Sequence, residues 1–73
     1  MMNANLLKGV LRSKGITQET AARKIGISLS RFNAKLNGTG GAEFSLGDVQ
    51  ALRNYLELTP EDVDRIFFEE KVS

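Results

Sequence analysis

The chain has 73 residues, of which 41% are hydrophobic and 26% charged, and this length and composition suit one small globular domain spanning residues 1–73 rather than a disordered or multidomain protein. It has no cysteine and no histidine, which excludes disulfides and removes the usual zinc ligands, so we expect no metal, no cofactor, no small-molecule ligand and no enzyme activity. No apolar run approaches the roughly 20 residues of a membrane span and the N-terminus does not resemble a signal peptide, so we expect a cytoplasmic protein with no membrane partner.

Charge is distributed unevenly along the chain although the formal net charge is only +1. Residues 1–38 carry seven basic side chains and one acidic side chain, a net charge of +6, whereas residues 39–73 carry three basic and eight acidic side chains, a net charge of −5. A basic half suits a polyanionic partner and an acidic half repels one. Ordinary solvated surface charge is the alternative explanation of the same count.

Helical spacing of apolar residues predicts a first helix that begins near Asn3 and stops at Gly15. Thr17 suits the N-cap of a second helix, Gln18–Ile25, and Gly26 suits its end because glycine tolerates a positive φ. The residues expected to face the core from these two helices are Leu6, Leu7, Val10, Leu11, Ala21, Ala22 and Ile25.

A third helix is predicted over residues 29–36, with Ser28 as its N-cap and Asn37-Gly38 as its end. Residues 39–43 are rich in small residues and predict a flexible loop. The apolar positions of the third helix that share one face are Leu29, Phe32 and Leu36.

Two further helices are predicted in the acidic half. Ser45 and Asp48 resemble a capping box, with aspartate in place of the preferred glutamate or glutamine. Thr59 and Pro60 mark the start of a fifth helix, which we expect to fray after Glu70. The residues expected to face the core here are Leu46, Val49, Leu52, Leu56, Val63, Ile66 and Phe67. The sequence therefore predicts an all-α fold of five helices.

The segment QETAARKIGISLSRFNAKLN, residues 18–37, joins the second and third helices through a short glycine turn. Small Ala22 lies where two helices would cross closely, and the wedge between them is filled by Ile27, Phe32 and Leu36. This pattern resembles the DNA-binding domains of the lambda repressor and Cro class, also called Xre-like. The resemblance covers nearly the whole chain, including the two helices after the motif, and its most specific matches are Gln18, Gly26 and Asn37-Gly38.

The resemblance implies a five-helix, lambda-repressor-like domain whose second and third helices form a helix-turn-helix. It implies a transcriptional regulator of phage or prophage type that binds double-stranded DNA sequence-specifically, with the third helix in the major groove. It also implies a homodimer on a pseudo-palindromic operator.

The expected base contacts lie in the first turns of the third helix. Arg31 either donates to O6 and N7 of guanine or contacts a phosphate. Ala34 either contacts a thymine methyl or only permits close approach, and Leu29 either contacts such a methyl or turns into the core. The full set of candidates is Ser28, Leu29, Ser30, Arg31 and Ala34.

The expected phosphate contacts flank those residues. The resemblance gives Gln18 a phosphate contact at the start of the second helix, with a plain capping role as the alternative. Lys35 departs from the apolar residue that several relatives carry, and either contacts phosphate or is solvated. The full set of candidates is Lys14, Thr17, Gln18, Asn33, Lys35 and Asn37.

A second surface is expected near the end of the chain, formed by Asp64, Phe67 and Phe68. The two phenylalanines are adjacent, so both cannot face inward from one helix, and the exposed ring suits a dimer or partner contact. Burial of Phe67 with the tail covering Phe68 is the alternative. An alternative function also stays open, in which the acidic half binds another repressor protein, as an antirepressor does, or a toxin, as an antitoxin does.

Overall fold

A computed structural model describes residues 2–68, and within that range all regular secondary structure is helical. The α-helices are α1 (Ala4–Ser13), α2 (Gln18–Ile25), α3 (Leu29–Asn37), α4 (Leu46–Leu56) and α5 (Pro60–Val63). A 3₁₀ turn at Thr39–Gly41 lies between α3 and α4, and α5 continues into a π-helical segment at Asp64–Phe68. The predicted all-α class is confirmed, whereas the expected fraying after Glu70 lies outside the described residues. Among residues 2–68, no helix combines the length and the apolar character needed to cross a bilayer.

Each of the five helices begins at a polar side chain that accepts a hydrogen bond from a backbone N–H in the first turn. At α4 and α5 the bond is reciprocal, because an aspartate in the first turn accepts from the backbone N–H of the capping residue. The sequence therefore determines locally where each helix starts. The capping residues are Asn3, Thr17, Ser28, Ser45 and Thr59.

Gly26 ends α2 in the left-handed conformation, with φ 83°. The next residue, Ile27, donates its backbone N–H to the carbonyl of Ala22 at 3.0 Å, which closes the last turn of the helix. Only Gly26, Ile27 and Ser28 separate α2 from α3, and the two helices pack against each other.

One apolar cluster holds the fold together, with side chains from α1 to α4 and from the π-helical segment. Ala21 and Ala22 are buried and small, which lets neighbouring helices approach α2 closely. The start of α1 is tied to the end of the described chain, because the backbone N–H of Asn3 donates to the carbonyl of Ile66 at 2.6 Å. The buried residues are Leu7, Leu11, Ala21, Ala22, Phe32, Leu36, Val49, Leu52, Leu56, Leu58, Ile66 and Phe67.

Three residues of the predicted apolar sides are exposed in the structure. Leu6 is 37% exposed, because it points about 120° away from the mean direction of the two buried side chains of α1. Leu46 is 69% exposed, because at about 100° per residue it points about 90° away from the mean direction of the three buried side chains of α4. Leu29 is 40% exposed although it lies near the buried side of α3, since it belongs to the first turn of that helix. Residues 39–43, predicted as a flexible loop, contain the 3₁₀ turn.

Candidate nucleic-acid interface

The inner side of α3 is anchored in the core. Phe32 is fully buried and Leu36 is 3% exposed. The ring of Phe32 meets that of Phe44 edge to face, with 5.3 Å between centroids. Since both anchors lie on one side of the helix, the opposite side is left outside the core.

The outer side of α3 is polar and accessible. At about 100° per residue, Ser30, Arg31, Ala34 and Asn37 all lie at least about 120° from the mean direction of the two buried anchors. Of these four, only Ala34 is half-buried. Asn33 is exposed on one flank of this outer side and Lys35 is half-buried on the other.

Arg31 is the exposed cation of this outer side. Its backbone N–H donates to Ser28 Oγ at 3.1 Å, so the hydroxyl of Ser28 is engaged in capping α3. Among residues 2–68, the guanidinium of Arg31 takes part in no salt bridge and no side-chain hydrogen bond. All five of its N–H donors are therefore available to an external acceptor.

The start of α2 presents the two other polar candidates. The hydroxyl of Thr17 accepts from the backbone N–H of Thr20 at 3.1 Å and lies 2.9 Å from the Thr20 hydroxyl. Thr17 is therefore used in capping, while Gln18 is half-buried and forms no side-chain hydrogen bond with the rest of residues 2–68. The first backbone N–H groups of the helix have no intrahelical acceptor and carry the positive end of its dipole.

Lys14 is exposed at the end of α1, but it lies near an acidic group. The pKa of Asp62 is lowered mainly by the hydrogen bonds it shares with Thr59, and Arg65 and Lys14 contribute weaker electrostatic attraction. Lys14 is therefore an exposed side chain that contributes weakly to this lowering and forms no salt bridge among residues 2–68.

Other basic residues of the first half also have neighbours within the chain. Arg23 lies 4.0 Å from Glu19 in an exposed pair within α2, and such a pair contributes little to stability. The ammonium of Lys24 lies 5.8 Å from the ring centroid of Tyr55 on α4. Glu19 is already counted in the net charge of +6 over residues 1–38, and the neutral ring of Tyr55 does not change that charge, so these contacts leave the basic excess of the first half in place.

Lys35 has a partner that no local pattern indicates. Its Nζ lies 2.5 Å from Oδ2 of Asp48, and the two side chains are only 14% and 12% exposed. Burial opposes the charge on Asp48, but the hydrogen bonds from Lys35 and Ser45 outweigh it and hold the pKa of Asp48 below its ordinary value of 3.8. The sequence offered one signal for this pair, which is the position of Lys35 beside the apolar side of α3. The aliphatic part of such a lysine is buried, so its ammonium lies where water is scarce and an acidic partner is needed.

The two phenylalanines of the candidate dimer or partner surface have different surroundings. Phe67 is 7% exposed and joins the core, with its ring centroid 6.0 Å from that of Phe44, whereas Phe68 is 54% exposed. Phe68 borders a cleft of about 380 Å³ that Gly38 and Phe44 also line. Asp64 is exposed. Phe67 therefore contributes packing beneath this surface, and Phe68 and Asp64 are the residues that reach solvent.

Comparisons with known proteins identified no relative of this chain. No protein-family model, no curated protein and no solved structure matches the chain.

Proposed function

We propose that the chain is a non-enzymatic, cytoplasmic transcriptional regulator of the lambda repressor and Cro type, in which α2 and α3 form a helix-turn-helix and α3 enters the major groove of double-stranded DNA. One observation carries this proposal. The outer side of α3 is exposed and polar and holds an arginine that forms no salt bridge among residues 2–68, while the inner side of the same helix is fixed by Phe32 and Leu36. A rigid helix with this division suits insertion into a groove about 12 Å wide.

Base recognition is assigned to the first half of α3. Arg31 is suited to guanine, since a guanidinium bridges the O6 and N7 acceptors with two hydrogen bonds. Ser30 offers a hydroxyl that donates or accepts, and exposed Leu29 supplies an apolar contact for a thymine methyl. The hydroxyl of Ser28 caps the helix, so its role is to hold the N-terminus rather than to read a base.

Phosphate contacts are assigned to the ends of the two helices. The free backbone N–H groups at the start of α2, together with Gln18, suit one phosphate. Exposed Asn33 and Asn37 provide amide donors along α3 and at its end. Lys35 is left out of this set because its ammonium is paired with Asp48.

We include dimerisation in the proposal, with Phe68 and Asp64 as part of the contact. The described residues extend 33 × 28 × 21 Å, and the longest of these dimensions is close to the spacing of about 34 to 36 Å between consecutive major grooves on one face of DNA. Two copies related by a two-fold axis bind a pseudo-palindromic operator.

The exposed ring of Phe68 also favours a second candidate, in which the acidic half binds another regulatory protein. The two candidates use different residues. DNA binding depends on Arg31, whereas binding of a protein partner depends on Phe68 and its acidic neighbours.

Arg31→Ala separates these candidates. Duplexes are first selected from a random pool with the wild-type chain, and affinity is then measured between about 50 and 200 mM salt. We expect the wild-type affinity to fall steeply with salt, and Arg31→Ala to weaken binding to the selected site by about 1–3 kcal/mol.

Arg65→Ala is the matched control, because it removes the same charge from an exposed position in the π-helical segment. We expect it to change affinity much less than Arg31→Ala does. Equal losses in the two variants, or failure of the wild-type chain to enrich any duplex, would contradict the proposal. A protein ligand whose binding survives Arg31→Ala and is lost in Phe68→Ala would favour the second candidate.

A further inference from the structure

One partly buried ion pair joins α3 to α4. It links Lys35 to Asp48, which are 13 residues apart in sequence. The same oxygen, Asp48 Oδ2, accepts the backbone N–H of Ser45 at 3.0 Å, and the backbone N–H of Asp48 donates to Ser45 Oγ at 3.1 Å. The carboxylate that caps α4 is therefore also the group that holds α3.

The geometry of this pair differs from that of the Arg23–Glu19 pair. The Arg23–Glu19 pair lies within α2, and its side chains are 73% and 67% exposed. Water therefore screens this pair, and it does not connect α2 to another helix. The Lys35–Asp48 pair lies between two helices and is largely shielded from water. Removing either partner leaves the other charge in a place where water solvates it poorly.

The position of Lys35 around the helix axis matters as much as its burial. Phe32 and Leu36 attach α3 to the core along one direction, and Lys35 lies about 80° from that direction. Apolar contacts are not directional and permit small rotations of a helix about its own axis. An ion pair at a different angle opposes such a rotation, because turning the helix separates Nζ from Oδ2.

We infer that Asp48 is a positioning residue for α3: by holding Lys35, it fixes the rotation of the helix and hence the direction in which Ser30, Arg31 and Ala34 face. This inference rests on the proposed function where it concerns DNA, and on the folded chain alone where it concerns α3. It assigns Lys35 to the interior of the molecule rather than to a DNA phosphate. Asp48 lies on α4 and touches no base or phosphate in this account.

The first arm of the test uses the chain without DNA. Amide hydrogen exchange is measured by NMR for the wild type, Asp48→Asn, Lys35→Met and the double variant, which has the same net charge as the wild type. We expect residues 33–37 to exchange about tenfold faster in each single variant, a larger change than in α1, because a charge-assisted hydrogen bond is lost. We expect the double variant to exchange no faster than the single variants, since the two residues act as a pair.

Two further variants serve as controls for the exchange measurement. Asp62→Asn is the matched control, because Asp62 occupies the same position in the capping box of α5 and takes part in no salt bridge among residues 2–68. We expect it to leave exchange in α3 within about twofold of the wild type. Lys35→Arg keeps the charge and the reach, and we expect it to restore protection. Unchanged exchange of α3 in Asp48→Asn and Lys35→Met would overturn the inference.

The second arm uses a duplex selected by the wild-type chain. We expect the double variant to lose about tenfold in the ratio of specific to nonspecific affinity, with an unchanged dependence on salt. A salt slope lower by about 0.9 in Lys35→Met, with tighter binding in Asp48→Asn, would overturn the inference by showing that Lys35 contacts a phosphate. If the wild-type chain selects no duplex, the proposed function fails and the exchange arm alone decides whether Asp48 positions α3.

Discussion

Arg31 and Lys35 lie four residues apart on α3, yet the two cations have different surroundings. Arg31 is exposed and unpaired among residues 2–68, whereas Lys35 forms a largely buried pair with Asp48. The cause is their position around the helix, since Lys35 lies beside the apolar side and Arg31 on the outer side. Residue type alone does not separate a cation that is open to solvent from one that is paired within the fold.

Asp48 makes the stability of the fold depend on pH. Its pKa in the folded chain lies below the ordinary value of 3.8, so its contribution to the free energy of unfolding is complete above that value and is lost as the pH falls through the folded-state pKa. We expect urea unfolding measured from pH 7 down to about pH 2.5 to show stability falling below about pH 4.

Asp48→Asn checks this assignment, because it removes the titrating group and keeps an oxygen that accepts the N–H of Ser45. The variant is expected to be less stable than the wild type at pH 7 and to lose less stability on acidification. Asp62 also has a lowered pKa, so part of the acid dependence should persist in the variant. An acid dependence identical to that of the wild type would contradict the role given to Asp48.

At the scale of the elements, the turn between α2 and α3 depends on one glycine. Gly26 has φ 83°, and no heavy atom beyond its immediate neighbours lies within 4 Å of the place where a Cβ would stand. Any effect of Gly26→Ala on stability therefore comes from the backbone conformation. We expect a loss of about 1–2 kcal/mol in the free energy of unfolding, measured by urea titration.

Gly9→Ala is the control for this prediction. Gly9 lies inside α1 with open space around it and no positive φ, and alanine favours a helix over glycine by about 0.8–1.0 kcal/mol. We therefore expect Gly9→Ala to stabilise the chain. Changes of the same sign in the two variants would show that the left-handed conformation at Gly26 does not govern this turn.

The helix starts could be predicted from sequence because each is encoded within a few residues. Thr17, Ser28 and Thr59 cap the helices at which they were expected, since the side-chain acceptor and the backbone donor lie three residues apart. The exposed residues of α3 also follow from helical periodicity once the buried side is known. Local chemistry therefore accounts for the elements and for most of the candidate surface.

The parts that could not be predicted depend on elements that are distant in sequence. The exposure of Leu46 depends on which side of α4 meets the core, and the pairing of Lys35 depends on where α4 begins relative to α3. Helical periodicity gives the direction of a side chain around its own helix, but it does not predict which residues of another helix that side chain will meet. The two alternatives left open for Lys35, a phosphate contact or a solvated side chain, and the core position expected for Leu46 all followed from that missing information.

At the scale of the whole molecule, the fold holds α3 at the surface by connections on several sides. α3 packs on α2, Phe32 and Leu36 enter the common core, and Asp48 holds Lys35 from α4. The backbone bond from Asn3 to Ile66 ties the start of α1 to the π-helical segment. With no cysteine in the chain, these packing and polar contacts provide the stability that disulfides supply in many small domains.

Entry of α3 into the major groove is tested directly by an NMR titration of the chain with a pool of mixed-sequence duplexes at low ionic strength, followed through the backbone amides. Weak, sequence-independent binding is strongest under these conditions and reports the surface that meets DNA. If α3 enters the major groove, the amides of residues 28–37 and those at the start of α2 shift, while those of α5 shift least. Duplex titration that leaves residues 28–37 unmoved, or that shifts mainly α5, would contradict the proposed entry of α3.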